Sequence, residues 1–259
     1  MTEHASGTDK FRSYLVLLAT IGTIAFNWLA AVGRVNGVSP DVISDKYPTP
    51  ITPAGYAFSI WSLIYLGLIA FSIYQLLPAN ASRFRSIRSL YILTCALNCA
   101  WIFFWHSDQI AICLVLIFTL AVVLFLINQR LRTTDGMGEY WFAKAPFGIY
   151  FGWVTAATLV NFAILLVHLG VQLTPAAWTW IGVGLILLAA ALGVIVRIRL
   201  VNYLYPVAIA WALAAIGVKQ SGQTLIVVAS AIGTIACLIA ALSFVVGLPS
   251  TDNPRTVNE

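Results

Sequence analysis

Long runs of apolar residues alternate with short polar segments along almost the whole chain of 259 residues. A helix that crosses the hydrocarbon core of a bilayer needs about 20 consecutive, mostly apolar residues. Eight runs come close to that length, and each predicts one transmembrane helix. The pattern therefore predicts an all-α fold, a polytopic transmembrane bundle of eight helices. The runs cover approximately residues 14–33, 55–77, 89–106, 109–128, 146–168, 176–196, 201–218 and 223–248.

The polar segments between the runs predict how the helices connect. Three residues, His106 to Asp108, separate the third and fourth runs, so we expect these two helices to be antiparallel neighbours. The segment 36–54 holds four prolines and is expected to be stiff and extended rather than helical. Residues 129–145 are expected to form a polar loop. The predicted parts are an N-terminal tail (1–13), a five-helix domain (14–168), three additional transmembrane helices (169–248) and a C-terminal tail (249–259).

The lysines and arginines predict the orientation, because cytoplasmic loops of membrane proteins are enriched in them. If the N-terminus lies inside, eleven of the 14 basic residues fall on the cytoplasmic side and three on the outer side. Both termini are then cytoplasmic, in a multi-pass protein of the plasma membrane. The inner set is Lys10, Arg12, Arg83, Arg85, Arg88, Arg130, Arg132, Lys144, Arg197, Arg199 and Arg255; the outer set is Arg34, Lys46 and Lys219.

Composition excludes several classes of protein. Hydrophobic residues make up 61% of the chain and charged residues only 9%, against roughly 25% in a soluble domain. The lipid bilayer is therefore the expected partner. The net charge of +5 is spread over short loops, which argues against nucleic-acid binding. None of the nine acidic residues lies inside an apolar run, which disfavours a transporter coupled to protons or ions.

The chain shows no pattern typical of an enzyme. It contains no H-E-x-x-H motif and no nucleophile elbow. Its four cysteines lie in apolar runs without a CxxC pair and are interpreted as packing residues. His106 and His168 stand at run ends, where an interfacial position is expected. The sequence predicts no enzymatic activity, no metal site and no required cofactor.

Three blocks of aromatic and polar residues stand out within the first five runs. The stretch Tyr47–Tyr65 opens with a proline-rich segment and continues into a helix that places Phe58, Trp61 and Tyr65 on one face. The stretches Ala96–Phe104 and Tyr150–Phe162 each combine an asparagine with a tryptophan. The candidate ligand-binding residues are Pro53, Phe58, Trp61, Tyr65, Asn98, Trp101, Trp153 and Asn161.

The asparagines and the tryptophans of these blocks have two interpretations each. An unpaired amide is costly in hydrocarbon, so Asn98 and Asn161 should face the bundle interior and bond either another helix or a ligand. The three tryptophans at positions 61, 101 and 153 either line an aromatic cavity for a flat apolar molecule or pack as core residues. Gly148 and Gly152 form a GxxxG pattern, which favours close contact with another helix.

The three blocks, in this order, resemble the TspO/MBR family, also called tryptophan-rich sensory or translocator proteins. The resemblance covers roughly residues 10–168, and the additional helices suggest a longer branch of that family. It implies a ligand-binding sensor or translocator with a flat hydrophobic ligand, such as the tetrapyrroles protoporphyrin or haem, beneath a proline-rich lid. It also implies a possible homodimer. The alternative is an uncoupled small-molecule transporter, a facilitator.

Overall fold

The computed structural model describes residues 7–243, with no side chain described for residues 7 and 8. Within that range the chain forms helices and turns and no β-strand, which confirms the all-α prediction. The predicted C-terminal tail, 249–259, lies outside the described residues. The helices are α1 (Gly7–Ala31), α2 (Pro40–Lys46), α3 (Ile60–Tyr74), α4 (Arg85–His106), α5 (Ile110–Arg130), α6 (Met137–Glu139), α7 (Ala145–His168), α8 (Pro175–Leu200), α9 (Tyr205–Lys219) and α10 (Thr224–Leu242). Short 3₁₀ turns cover Gly55–Ser59 and Pro78–Asn80, and a π-helical turn covers Tyr140–Lys144.

Seven helical segments within residues 7–243 are long and apolar enough to cross a membrane. The eighth apolar helix, α9, has 15 residues and spans roughly 22 Å, which is shorter than the hydrocarbon core. The transmembrane bundle is therefore confirmed with a helix count close to the predicted eight. The N-in, C-in orientation stays a prediction. The seven segments are Asp9–Ala31, Gly55–Tyr74, Arg85–His106, Ile110–Arg130, Met137–His168, Pro175–Leu200 and Thr224–Leu242.

The first five long helices close into a ring. Each of α1, α3, α7, α5 and α4 packs against the next, and α4 packs back against α1. The turn between α4 and α5 is as short as the sequence predicted, with Asp108 in the left-handed region at a φ of 60°. The last three helices, α8, α9 and α10, pack against one another, and α9 also packs along α7. The five-helix ring and the three-helix unit therefore share the α7–α9 contact.

Two expectations near the N-terminal end were wrong. Helix α1 begins at Gly7, so residues 7–13 are helical and not part of a tail. Asp9 lies in its first turn, where a carboxylate is favoured, and forms an ion pair with Arg85 at 2.7 Å. The proline-rich segment also contains a helix, α2, because Pro40 occupies the first helical turn, where its fixed φ suits a helix start.

Helical structure also extends into the predicted loop 129–145. Residues 137–144 are helical and continue directly into α7, so one helical segment runs from Met137 to His168. Glu139 is therefore buried at the start of a membrane-spanning segment rather than exposed in a loop. Its carboxylate pairs with the guanidinium of Arg83 at 2.5 Å. The pairing explains how a charged group is tolerated there.

Helix α9 begins four residues later than the seventh apolar run. Residues 201–204 form a turn in which Asn202 accepts hydrogen bonds from the backbone N–H groups of Leu204 and Tyr205. The amide of Asn202 also donates to the side chain of Asn128 and to the backbone carbonyl of Lys144. Asn202 thus binds the free backbone N–H groups at the start of α9 and connects them to α5 and to the π-helical turn before α7. Hydropathy does not reveal this role.

Gly148 and Gly152 allow α9 to approach α7 closely. A Cβ atom on Gly148 would collide with the side chain of Asn202, and one on Gly152 would collide with the backbone carbonyl of Tyr205. Tyr205 also donates a hydrogen bond to Thr155 at 3.1 Å across the same contact. The GxxxG pattern therefore marks close helix packing, as predicted, and its partner is the helix that follows Asn202.

Candidate functional site

An enclosed aromatic cavity lies in the five-helix ring, near the end that carries the proline-rich segment. This end is called the loop end below. Helices α3, α4 and α7 supply most of the wall, and α2, α9 and the proline-rich segment close the rest. The cavity measures about 30 Å³. Its lining residues are Ser44, Pro53, Phe58, Trp61, Trp101, Trp105, Trp153, Ala156, Ala157, Val160, Asn161, Ala212 and Ile216.

The aromatic rings of the cavity pack against one another in defined geometries. Trp153 meets Phe58 and Trp61 edge to face, with ring centroids 5.9 Å and 6.4 Å apart. On the α4 side, Trp101 stacks on Trp105 at 5.4 Å. Such contacts hold the ring planes in place and leave apolar faces and edges for a flat molecule. Six of the eight predicted site residues line this cavity, and they are Pro53, Phe58, Trp61, Trp101, Trp153 and Asn161.

The two asparagines have different surroundings. Asn161 lines the cavity, accepts a hydrogen bond from the indole of Trp101 at 3.3 Å and donates to the backbone carbonyl of Ala157. Asn98 is fully buried outside the cavity, and its side-chain oxygen accepts a hydrogen bond from Asn27 of α1 at 2.7 Å. Asn98 thus links α4 to α1, and Asn161 links α7 to α4.

Tyr65 lies beside the aromatic cavity and not in its wall. It stacks on Trp61 and lines a neighbouring cavity of about 280 Å³ between α1 and α3. Phe58 and Trp61 line both cavities, so their rings form the partition. All three residues line the neighbouring cavity, in agreement with the predicted common face, although Phe58 itself lies in the 3₁₀ turn Gly55–Ser59.

Helix α9 contributes to the site, although the sequence assigned no function to the last three helices. Ala212 and Ile216 line the cavity. Beside them, the Trp211 indole donates to the backbone carbonyl of Ala57 at 2.9 Å. Trp211 also meets the ring of Tyr56 edge to face. The sequence offered one indication that α9 packs closely against the ring. This helix is short and rich in alanine, and its alanines recur at a spacing of four residues, as the glycines of the GxxxG pattern do.

The proline-rich segment is fastened to the bundle at two places. On one side, Lys46 pairs with Asp108, and the Tyr47 hydroxyl donates to the same carboxylate at 2.7 Å. On the other side, the Gln220 amide donates to the backbone carbonyls of Thr49 at 3.0 Å and Thr52 at 3.3 Å. These contacts hold the segment over the loop end of the cavity.

Asp108 is the acidic centre of the first fastening. Partial burial opposes its ionisation, but hydrogen bonds from Lys46 and Tyr47 outweigh burial and hold the pKa of this carboxyl below its ordinary value of 3.8. The same contact with Asp108 raises the pKa of Lys46. A depressed carboxyl pKa means that the contact stabilises the folded chain at neutral pH and that this stabilisation is lost as the pH falls through the depressed value.

We therefore predict that Asp108→Asn destabilises the protein slightly at neutral pH. The melting temperature should fall by about 2 °C, since exposed ion pairs contribute little. The difference from the unsubstituted protein should shrink as the pH falls from 3.8 through the depressed pKa of Asp108, because the carboxyl of the folded chain is protonated below that pKa. The measurement is thermal unfolding of both chains across a pH series.

Asp135→Asn is the matched control for this experiment. The Asp135 side chain is 85% exposed and lies in the segment between α5 and α6. Its substitution should not affect the fastening of the proline-rich segment. A difference for Asp108→Asn that stays constant down to the lowest pH would show that the carboxylate does not stabilise the loop end.

The family was identified from the whole chain. A model of the family described as TSPO-like protein matches residues 13–245. The match passes beyond residue 168, where the motif resemblance ended, and includes the three last helices. A search of the curated proteins and a search of the solved structures found no significant match. Because the match covers most of the chain, this membrane protein belongs to the TSPO-like family, in agreement with the TspO/MBR resemblance of its three blocks.

Proposed function

We propose that the protein is a membrane sensor or translocator that binds a flat hydrophobic molecule in the aromatic cavity. The observation that carries the proposal is the convergence of Trp61, Trp101 and Trp153, from three helices of the ring, on one enclosed space. By family, a tetrapyrrole such as protoporphyrin or haem is the ligand to test first. The chain needs no cofactor for such binding, and we assign it no enzymatic activity.

The cavity has to widen before it can hold such a ligand. Small-molecule sites usually measure about 300–1,000 Å³, whereas this cavity measures about 30 Å³. A vestibule of about 760 Å³ lies on the other side of the segment 49–54, between that segment and the ends of α8 and α9. Release of the bonds from Gln220 would let the segment move and join the two spaces. The proline-rich segment thus acts as a lid in this proposal.

Facilitated transport is the second candidate function, because the same lid would admit and release a cargo. Coupled transport is not favoured, since the buried acidic groups Asp9 and Glu139 form ion pairs with arginines. We further propose a location in the plasma membrane. A homodimer, as the family resemblance implies, is to be tested by size measurements in detergent.

The aromatic cavity is tested by replacing Trp101 and Trp153 together with leucine. We predict that the affinity for protoporphyrin falls about tenfold or more, because two stacking surfaces are lost at roughly 0.5–1.5 kcal/mol each beyond area. The measurement is a titration of protoporphyrin fluorescence with purified protein.

Trp180→Leu is the control for this variant, since Trp180 is exposed on α8 and lies outside the cavity lining. It should leave the affinity unchanged. An affinity that survives the double substitution would remove the aromatic cavity as the binding site, and a change in both variants would point to binding on the outer surface of the bundle.

A further inference from the structure

Two residues that line the aromatic cavity each carry a buried polar atom with no hydrogen-bond partner among residues 7–243. The two atoms are the hydroxyl oxygen of Ser44 and the indole nitrogen of Trp153. Ser44 is 2% exposed and Trp153 is 4% exposed, so solvent does not reach them. Both residues line the cavity. Buried polar groups are almost always paired, so two exceptions in one small space call for an explanation.

Three other buried polar groups of the same wall are paired within the protein. The indole of Trp101 donates to Asn161, and the indole of Trp105 donates to the backbone carbonyl of Pro40 at 3.1 Å. The amide of Asn161 donates to Ala157. Among the buried polar side chains of this wall that the structure describes, those of Ser44 and Trp153 are therefore the unpaired ones.

Neighbouring groups keep the side chains of Ser44 and Trp153 buried in the bundle. Phe58 and Trp61 pack edge to face on the ring of Trp153, which restricts its rotation. Ser44 belongs to α2, whose last residue, Lys46, is fastened to Asp108. Neither polar group can turn to solvent without movement of the elements around it.

The chemistry of the two polar groups defines which ligand atom can form hydrogen bonds with them. An indole N–H only donates, and a hydroxyl both donates and accepts. A single oxygen or nitrogen acceptor placed within hydrogen-bond distance of both groups would receive both donors. No charged residue of the described part of the chain lines the cavity, so an ionised carboxylate would be buried there without a counter-ion from those residues. The matching group is therefore an uncharged acceptor, of which a carbonyl oxygen is the simplest.

We infer that the cavity selects flat apolar molecules that carry one uncharged hydrogen-bond acceptor, which Ser44 and Trp153 bind together. This inference rests on the proposed function, because it names the ligand class of the same site. The apolar walls bind the ring system, and the two donors distinguish a carbonyl compound from the corresponding hydrocarbon. Ionised side chains of a larger ligand, such as the propionates of a tetrapyrrole, stay outside the cavity.

The test compares two probes of nearly the same shape, fluorenone and fluorene, which differ by one carbonyl group. Binding is measured by equilibrium dialysis against the full-length protein in nanodiscs, with empty nanodiscs as the blank for partition into lipid. The protein should bind fluorenone about tenfold more tightly than fluorene, as expected for two hydrogen bonds. Ser44→Ala and Trp153→Phe should each reduce this ratio to about threefold, and the double variant should bring it close to one.

Trp101→Phe is the matched control, because the Trp101 indole lines the same cavity but already has a partner in Asn161. This variant should weaken binding of both probes alike and keep their ratio. Thermal unfolding of each variant checks that it is folded. If Trp153→Phe does not fold, the result for Ser44→Ala decides, since this substitution removes a single oxygen atom and leaves the rest of α2 unchanged.

The outcomes separate the inference from the proposed function. Equal binding of the two probes, or a ratio that neither substitution changes, overturns the acceptor inference and leaves the cavity as a site for flat apolar ligands. Binding of neither probe above the empty-nanodisc blank overturns the proposed function and the inference with it. A ratio that falls in Ser44→Ala and Trp153→Phe but not in Trp101→Phe supports both.

Discussion

Ala212→Phe is expected to lower the affinity for protoporphyrin by roughly tenfold to a hundredfold. Ala212 is buried on α9 and lines the aromatic cavity, so a phenyl ring at this position projects into a space of about 30 Å³. Forcing an extra side chain into a closely packed site costs about 1–3 kcal/mol of free energy. A loss of about 1.4 kcal/mol in binding free energy corresponds to a factor of ten in affinity. The measurement is fluorescence titration of the purified protein with protoporphyrin.

The matched control is Ala214→Phe, two residues further along α9. Ala214 is exposed on the outer side of the bundle and does not line the cavity. Its substitution adds the same ring without entering the site and should leave the affinity as it was. If Ala212→Phe binds protoporphyrin as tightly as the control, α9 does not form part of the binding site.

Gly152→Leu is expected to reduce the stability of the protein more than any other substitution discussed above. A Cβ atom at position 152 meets the backbone carbonyl of Tyr205 and approaches the Cβ atom of Ala208 to 2.9 Å. A carbonyl fixed in a helix cannot move aside as a side chain can. We expect a loss of about 3 kcal/mol and a melting temperature lower by about 10 °C.

Gly184→Leu provides the comparison for this substitution. Gly184 lies in α8, and a Cβ atom there meets no other atom within 4 Å. The two variants share the same change in helix propensity and differ in the α7–α9 contact. A melting temperature that falls equally in both would mean that the close approach of α9 to α7 does not stabilise the bundle.

Hydropathy predicted the helices well where a helix is long and lies in lipid, as for α4 and α5. It failed where local groups decide the structure. Pro40 and the residues around it start α2 inside a segment whose prolines suggested an extended chain. Asn202 delays the start of α9 by bonding the first backbone N–H groups of that helix. Both effects depend on single residues at a helix start, and an average of hydropathy over a window of residues does not detect them.

The sequence predicted those residues of the candidate site whose side-chain type is unusual inside a transmembrane helix. Trp61, Trp101 and Trp153 are large apolar side chains inside helices, and Asn161 is an amide that needs a partner; all four line the cavity. Asn98 has the same sequence signature but bonds Asn27 instead. Sequence does not show which helix faces which, so it could not distinguish these two asparagines.

The contributions of α2 and α9 were missed for the same reason. Ser44 and Ala212 are small residues without a distinctive pattern, and they enter the site only because α2 and α9 fold against the ring. The sequence predicts the last three helices only as additional transmembrane helices beyond the ligand-binding core. Their packing makes α9 part of the cavity wall, and the family match over residues 13–245 includes them.

The central claim is that one cavity, built by the five-helix ring together with α9, binds the ligand. An experimental structure of the full-length protein purified with protoporphyrin tests it most directly. We expect ligand density between Trp61 and Trp153 that contacts Ala212, with the segment 49–54 displaced from Gln220. Density confined to the lipid-facing surface, or a filled site that α9 does not touch, would contradict the account.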